Sequence, residues 1–204
     1  MTVFSNEPTL NKNDEKEEEK GPGMSSRLAD ALTEARYVLI TGEINDKVAR
    51  EAASRLLALS HLSDEPINVL ISSPGGHVES GDMIHDTIRF IKPKVRAIGS
   101  GWVASAGALI FVAVPKERRF CLPKTRFLLH EPRGGVGGQA SDVEIQAAEI
   151  RKMRERFYDI FSEATGQSVE KLEKDMDRDF WLNTDEAIEY GLLGKVISSV
   201  SELK

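Results

Sequence analysis

Cysteine occurs once in the 204 residues, at Cys121, so an intrachain disulfide is impossible and no C-x-x-C metal or redox pair exists. Basic residues are in the minority. The formal charge is −6, and residues 1–23 alone set six acids against three lysines. Nothing here would attract a phosphate backbone, so nucleic acid is not expected as a ligand. Long apolar runs are missing too: the longest weakly polar stretch, Trp102 to Pro115, is 14 residues, short of the roughly 18 that a bilayer requires. The opening MTVFSNEPTL has no charged segment leading into an apolar one, so no secretory signal and no membrane association are expected, and a cytoplasmic location is. H-E-x-x-H is absent, and no metal or other cofactor is expected. Gly194-Lys195 would need glycine at 189 and Ser/Thr at 196 to form a phosphate loop. Those positions are Glu189 and Val196, so the chain is not expected to bind ATP itself.

What is present suits a packed core: 40% apolar residues and 16 glycines, the ordinary globular range. The polar, acidic stretch over 5–23 predicts a disordered tail, drawn as residues 1–26, with a single folded domain over 27–200. Strands are expected at Arg36–Thr41, Ile67–Ile71 and Val95–Ile98. They alternate with helices at Lys47–Leu59 (capped by Asp46), Ser80–Ile91 and Ser105–Val114. This rhythm predicts an α/β fold with parallel pairing, and continuous apolar strands suggest helices on both faces. His85 is read onto the polar side of its helix. Two more strands are expected at Phe120–Pro123 and Arg126–His130. The glycine-rich segment Gly134–Gly138 then leads to a long helix at Ser141–Thr165, either projecting or folded back on the body. A short strand, Phe180–Leu182, and a helix, Thr184–Tyr190, stopped by Gly191, complete the pattern.

Two segments at strand ends could carry chemistry. Ser73-Pro-Gly-Gly76 leaves backbone N–H groups unobstructed, which suits an oxyanion site and equally a tight strand-to-helix turn. Gly99-Ser-Gly-Trp-Val-Ala-Ser-Ala-Gly107 places Ser105 at the start of an apolar helix among small neighbours. It is either a nucleophile beside the N–H of Ala106 or an ordinary N-cap. A serine nucleophile needs a base. His130, ending the strand Arg126–His130, is the better placed candidate, and His77 is the rival. An acid to orient the base could be Asp175, Asp177 or Asp179, and spacing alone leaves the three open. Cys121, inside an apolar strand, reads as core.

Five motifs in order, Ser73–Gly76, Gly101–Gly107, Leu122–Pro132, Gly138–Asp142 and Asp175–Asp179, resemble the ClpP family of serine peptidases, the proteolytic subunit of the Clp protease, over roughly Arg27 to Val200. The resemblance implies a crotonase-like (ClpP-type) fold of repeated ββα/βαβ units with a strand-helix handle over residues 134–165. By that resemblance Ser105 matches the nucleophile, His130 the general base and Asp179 its orienting acid. The N–H groups of Gly76 and Ala106 match the oxyanion hole, and Arg178 an inter-ring contact. It further implies a homo-oligomer of two stacked seven-membered rings, unfolded protein substrates and a separate Clp-family AAA+ ATPase partner. The chain departs from the family at its acidic N-terminus, at Trp102 and Ala106 beside the nucleophile, and at Glu131, which stands where glutamine is usual. Glu131 would raise the pKa of His130 if its carboxylate pointed at the ring. Competing expectations are a catalytically silent scaffold subunit of a mixed ring and an acyl-CoA hydratase or isomerase of the same fold. A membrane-bound Ser-Lys peptidase is disfavoured.

Overall fold

A computed structural model describes residues 24–134 and 137–203, so the acidic stretch over 5–23, together with Gly135 and Val136 of the glycine arm, lies outside the described residues. The last three residues assigned to the tail open a helix instead, α1 (Met24–Glu34). Arg36 (φ +56°) then turns the chain into β1 (Tyr37–Thr41), one residue later than expected. Its guanidinium donates to the carbonyls of Leu59, Ser63, Glu65 and Pro66, fastening the start of β1 to the end of the following helix and the loop after it.

Two crossover units follow, α2 (Asp46–Leu62) to β2 (Ile67–Ser73) and α3 (Val78–Phe90) to β3 (Val95–Ala104). The cap of α2 is Asn45, whose Oδ1 accepts from Lys47 and Val48 N–H; Asp46 is the first helical residue rather than the cap. β1, β2 and β3 run parallel, Val38 beside Val69 and Val69 beside Ala97. Helices do not cover both faces evenly. Val38 and Ile40 are fully buried on the face that α2 covers, whereas Leu39 between them is 41% exposed, so β1 alternates despite its apolar composition. The opposite face holds only a small cluster of Ile98, Phe120 and Ile197 packed with Tyr37, Leu70 and Leu203.

β3 is ten residues long and changes partner along its length. Ala97–Gly99 pair with β4 (Arg119–Cys121), and Trp102–Ala104 pair with β5 (Arg126–Leu129), both in parallel. From β4 the sheet continues to β7 (Lys195–Val196). From β5 it continues to β6 (Phe180–Leu182), the one antiparallel partner. The apolar run after β3 forms only a short helix, α4 (Ala106–Phe111), entirely buried. α5 (Ala140–Thr165) spans 26 residues, about 39 Å, and buries only Phe157, Tyr158 and Phe161. Its first three turns therefore stand away from the core, which decides for the projecting arrangement. α6 (Val169–Met176) and α7 (Thr184–Glu189) close the body, α7 beginning with a reciprocal cap between Asn183 and Glu186.

Candidate active site

Ser105 occupies the cap position of α4 without acting as a cap: its side chain accepts nothing from the helix. Its backbone sits at φ +52°, ψ −121°, a region a side-chain-bearing L-residue enters only under constraint. The constraint comes from both sides. The Ser105 N–H donates to Leu128 O at 2.9 Å, extending the β3–β5 ladder, and its carbonyl accepts from Ala108 and Leu109 as α4 begins. The strand thus turns into a helix at a single residue, and the hydroxyl is left half-buried without a hydrogen bond among the described residues.

The Ser73–Gly76 turn lies against this residue. A Cβ placed on Gly75 would stand 2.5 Å from Ser105 Cβ and 3.1 Å from its Oγ, so only glycine permits the approach. Gly76, at φ +148°, packs on the backbone of Ile44. Three hydrogen bonds fix the turn: Ile44 N–H to Gly75 O, His77 N–H to Ile44 O, and Gly75 N–H to Ser73 Oγ. The N–H of Gly76 has no protein acceptor among the described residues, and neither does that of Ala106, the first residue of α4. Both are the donors expected of an oxyanion site.

Strand register brings the three expected side chains to one edge. Ala104 lies beside Leu128 and Leu129 opposite Phe180, so Ser105 and His130 follow the ends of adjacent strands while Asp179 directly precedes the third. Asp175 and Asp177 fall outside this line. Asp175 instead accepts from Tyr190 Oη at 2.8 Å and pairs with Lys171, and Asp177 lies 3.5 Å from Arg178. The hydrogen bonds among these three residues are not drawn as the resemblance implies. His130 Nδ1 lies 2.7 Å from Glu131 O, and since a carbonyl can only accept, Nδ1 carries the proton and Nε2 is free to take one. Asp179 accepts from Arg133 instead of from His130.

Glu131 does not turn its carboxylate to the imidazole. It accepts from Tyr158 Oη at 3.1 Å and lies 3.5 Å from Arg154, both on α5, and burial with this contact pushes the Tyr158 phenol up to about 12. Its N–H donates to Met176 O, which ties the segment after His130 to the end of α6. His77, the rival base, is exposed and joined to Ser80, Asp46 and Glu79. His85 is not on a polar face: it is buried, with Nδ1 on Asp86. α3 packs against α4 as well as α2, and this second contact is not revealed by helical period alone. Arg178 is almost fully exposed. A concavity of about 880 Å³ lies away from Ser105 between the ends of α3 and α4 and the side of α5. Of the cations lining it, Arg89 pairs with Glu163, Lys92 with Asp64 and Arg156 with Asp82, and Arg119 donates to the carbonyls of Val114, Ala164 and Leu192. Sequence reading missed Arg133, whose only signal was a charged residue three positions after His130. No described helix is long and apolar enough to cross a membrane.

The family described as Clp protease matches residues 19–200 of this chain. An ATP-dependent Clp protease proteolytic subunit of Paracoccus denitrificans is 62% identical over 88% of this chain and 90% of its own length. Proteolytic subunit 2 of Pseudomonas aeruginosa is 51% identical over 94% of this chain and 97% of its own. Among solved structures, ClpP1 from Listeria monocytogenes superposes with a TM-score of 0.78 at 48% identity, covering 87% of this chain and 99% of that one.

Proposed function

The chain belongs to the Clp protease family, as a proteolytic subunit of an ATP-dependent Clp protease and a serine peptidase, and on that premise we propose that Ser105, His130 and Asp179 form its catalytic triad. Such a subunit works in an oligomer with a Clp ATPase. The finer arrangement we infer is a homo-oligomer of two stacked heptameric rings in the cytoplasm. The rings join through the handle over 134–165 with Arg178 in the inter-ring contact, and an AAA+ unfoldase delivers unfolded polypeptides. Reading the folded domain as beginning after an acidic tail belongs to the same proposal. An acyl-CoA hydratase or isomerase is not favoured by family membership.

The observation that carries the triad is the register that aligns the ends of β3, β5 and β6, with the Ser105 hydroxyl free on a constrained turn. Chemistry follows from that placement. With Nδ1 donating to Glu131 O, His130 presents Nε2 as a base in the right tautomer. It takes the Ser105 proton as Oγ attacks a peptide carbonyl, and the N–H groups of Gly76 and Ala106 receive the oxyanion. Each such donor typically contributes about 2.7–4 kcal/mol to the transition state. His130 then protonates the leaving amine, and water, activated by the same imidazole, hydrolyses the acyl-enzyme. Asp179 stabilises the imidazolium during both transfers.

The test is labelling by a fluorophosphonate alongside a peptidase assay, with the mass of the assembly measured in parallel. Wild type should label on Ser105 and cleave peptides. Ser105→Ala should do neither while retaining its mass. An assembled wild type that does not label would favour the silent scaffold, and peptidase activity surviving in Ser105→Ala would remove the serine from its role.

A further inference from the structure

We propose that Arg133 is a clamp on Asp179 that holds the triad open, so that release of this ion pair precedes efficient proton transfer at His130. The inference rests on the triad reading above. By strand register His130 follows β5 where Asp179 precedes β6, so its imidazole and the guanidinium of Arg133 are the two candidate donors to that carboxylate. In the subunit the guanidinium holds it: Arg133 Nη2 donates to Asp179 Oδ1, and Nδ1 donates to Glu131 O at 2.7 Å. Placement of Arg133 is not accidental to the fold. Glu131 N–H bonds to Met176 O at 2.8 Å and Pro132 stiffens the next step, so the chain is delivered to the loop ahead of β6 with Arg133 facing Asp179.

A carbonyl can orient an imidazole, but it carries no charge to balance an imidazolium, and a carboxylate already neutralised by arginine balances little more. The clamp therefore slows the chemical step and leaves peptide binding untouched. It is also weak. The two side chains are 59% and 49% exposed, and a pair so hydrated shifts an equilibrium by only about two- to five-fold. Such a pair is opened by salt or by a small displacement of either strand, which makes it suited to control rather than to permanent inhibition. Arg133 is thus a positioning residue acting through Asp179.

The experiment uses the assembled protease and a short fluorogenic peptide, comparing wild type, Arg133→Leu, Arg133→Lys and Asp179→Asn, with assembly mass followed at each ionic strength. Arg133→Leu should raise kcat about two- to five-fold with KM unchanged. Wild-type kcat should rise as salt increases from about 0.05 to about 0.5 M, whereas Arg133→Leu should be flat. Arg133→Lys should keep the low rate and the salt response. A kcat in Arg133→Leu that is unchanged or lower at intact mass, or a salt response identical to wild type, overturns the clamp. If Arg133→Leu does not assemble, Arg133→Lys and the wild-type salt series decide: no salt response in either overturns it as well. Asp179→Asn separates the two readings, because a rate equal to wild type there refutes the triad, while a loss there with no gain in Arg133→Leu refutes only the clamp.

Discussion

Gly75→Ala isolates the close approach on which the proposed nucleophile depends. The added methyl would lie 2.5 Å from Ser105 Cβ and 2.9 Å from Ala104 O, where ordinary contacts begin at 3.4 Å. Neither neighbour is the free end of a flexible chain. Gly75 also sits at φ +97°, where an alanine costs about 1–3 kcal/mol from the backbone alone. Overpacking against a strand that cannot yield adds about 1–3 kcal/mol. The combined penalty of about 2–6 kcal/mol corresponds to a fall in Tm of about 5 °C or more for a domain of this size. Relaxation would come from moving Ser105, and a shift near 1 Å costs on the order of 100-fold in rate. Thermal melting and the rate of fluorophosphonate labelling, measured on assembled protein, are the assays. A variant melting within about 1 °C of wild type and labelling at the same rate would show that the glycine turn does not press on Ser105 as described.

Three further outcomes follow from groups outside the turn. Burial opposes ionisation of Asp175, but hydrogen bonds from Lys171 and Tyr190 outweigh it and hold the carboxyl below its ordinary 3.8. A depressed acid contributes stability above its unfolded value and loses it as pH falls through the folded one. Asp175→Asn should therefore lower Tm at about pH 5–8, with the deficit closing below about pH 4; a deficit that widens in acid would contradict this. Cys121 is fully buried and its thiol is pushed up to about 11, so a thiol reagent at about pH 8 should modify it only at the rate at which the domain unfolds, and rapid modification of the native protein would refute its burial. Glu131→Gln keeps an acceptor for Tyr158 Oη and keeps the backbone carbonyl under His130, so kcat should stay within about two-fold of wild type; a larger loss would place the carboxylate charge in the chemistry.

Much of this arrangement could be read from residue order. Ile67–Ile71 is cut off by Ser72-Ser-Pro-Gly-Gly76 and Val95–Ile98 by Gly99, and their alternation with helices at Lys47–Leu59 and Ser80–Ile91 yields parallel strands with crossovers. Ser105 and His130 stand out because each polar group interrupts an apolar segment where a strand stops. What escaped the sequence is set by packing between distant segments. The exposure of Leu39 depends on which face α2 leaves open, and its composition gives no hint of that. Residue spacing alone does not separate Asp179 from Asp175 and Asp177, whereas antiparallel register with β5 sets it at the end of that strand, and Arg133 meets it across 46 residues of chain. Ser105 looks like a helix cap in sequence because caps and strained elbows share the same residue types; only its φ of +52° separates them.

The exchange of neighbours along β3 has a mechanical meaning. Ala97–Gly99 pair with β4 and, past Gly101 at φ +67°, Trp102–Ala104 pair with β5, while Val103 stays beside Ser73 of β2. The strand ends proposed to carry the alcohol, the imidazole and the acid are therefore bonded edge to edge and anchored through β2 to the glycine turn. A single hydrogen-bonded seam thus sets the spacing of all three, and a break in it at any one strand would misplace them together.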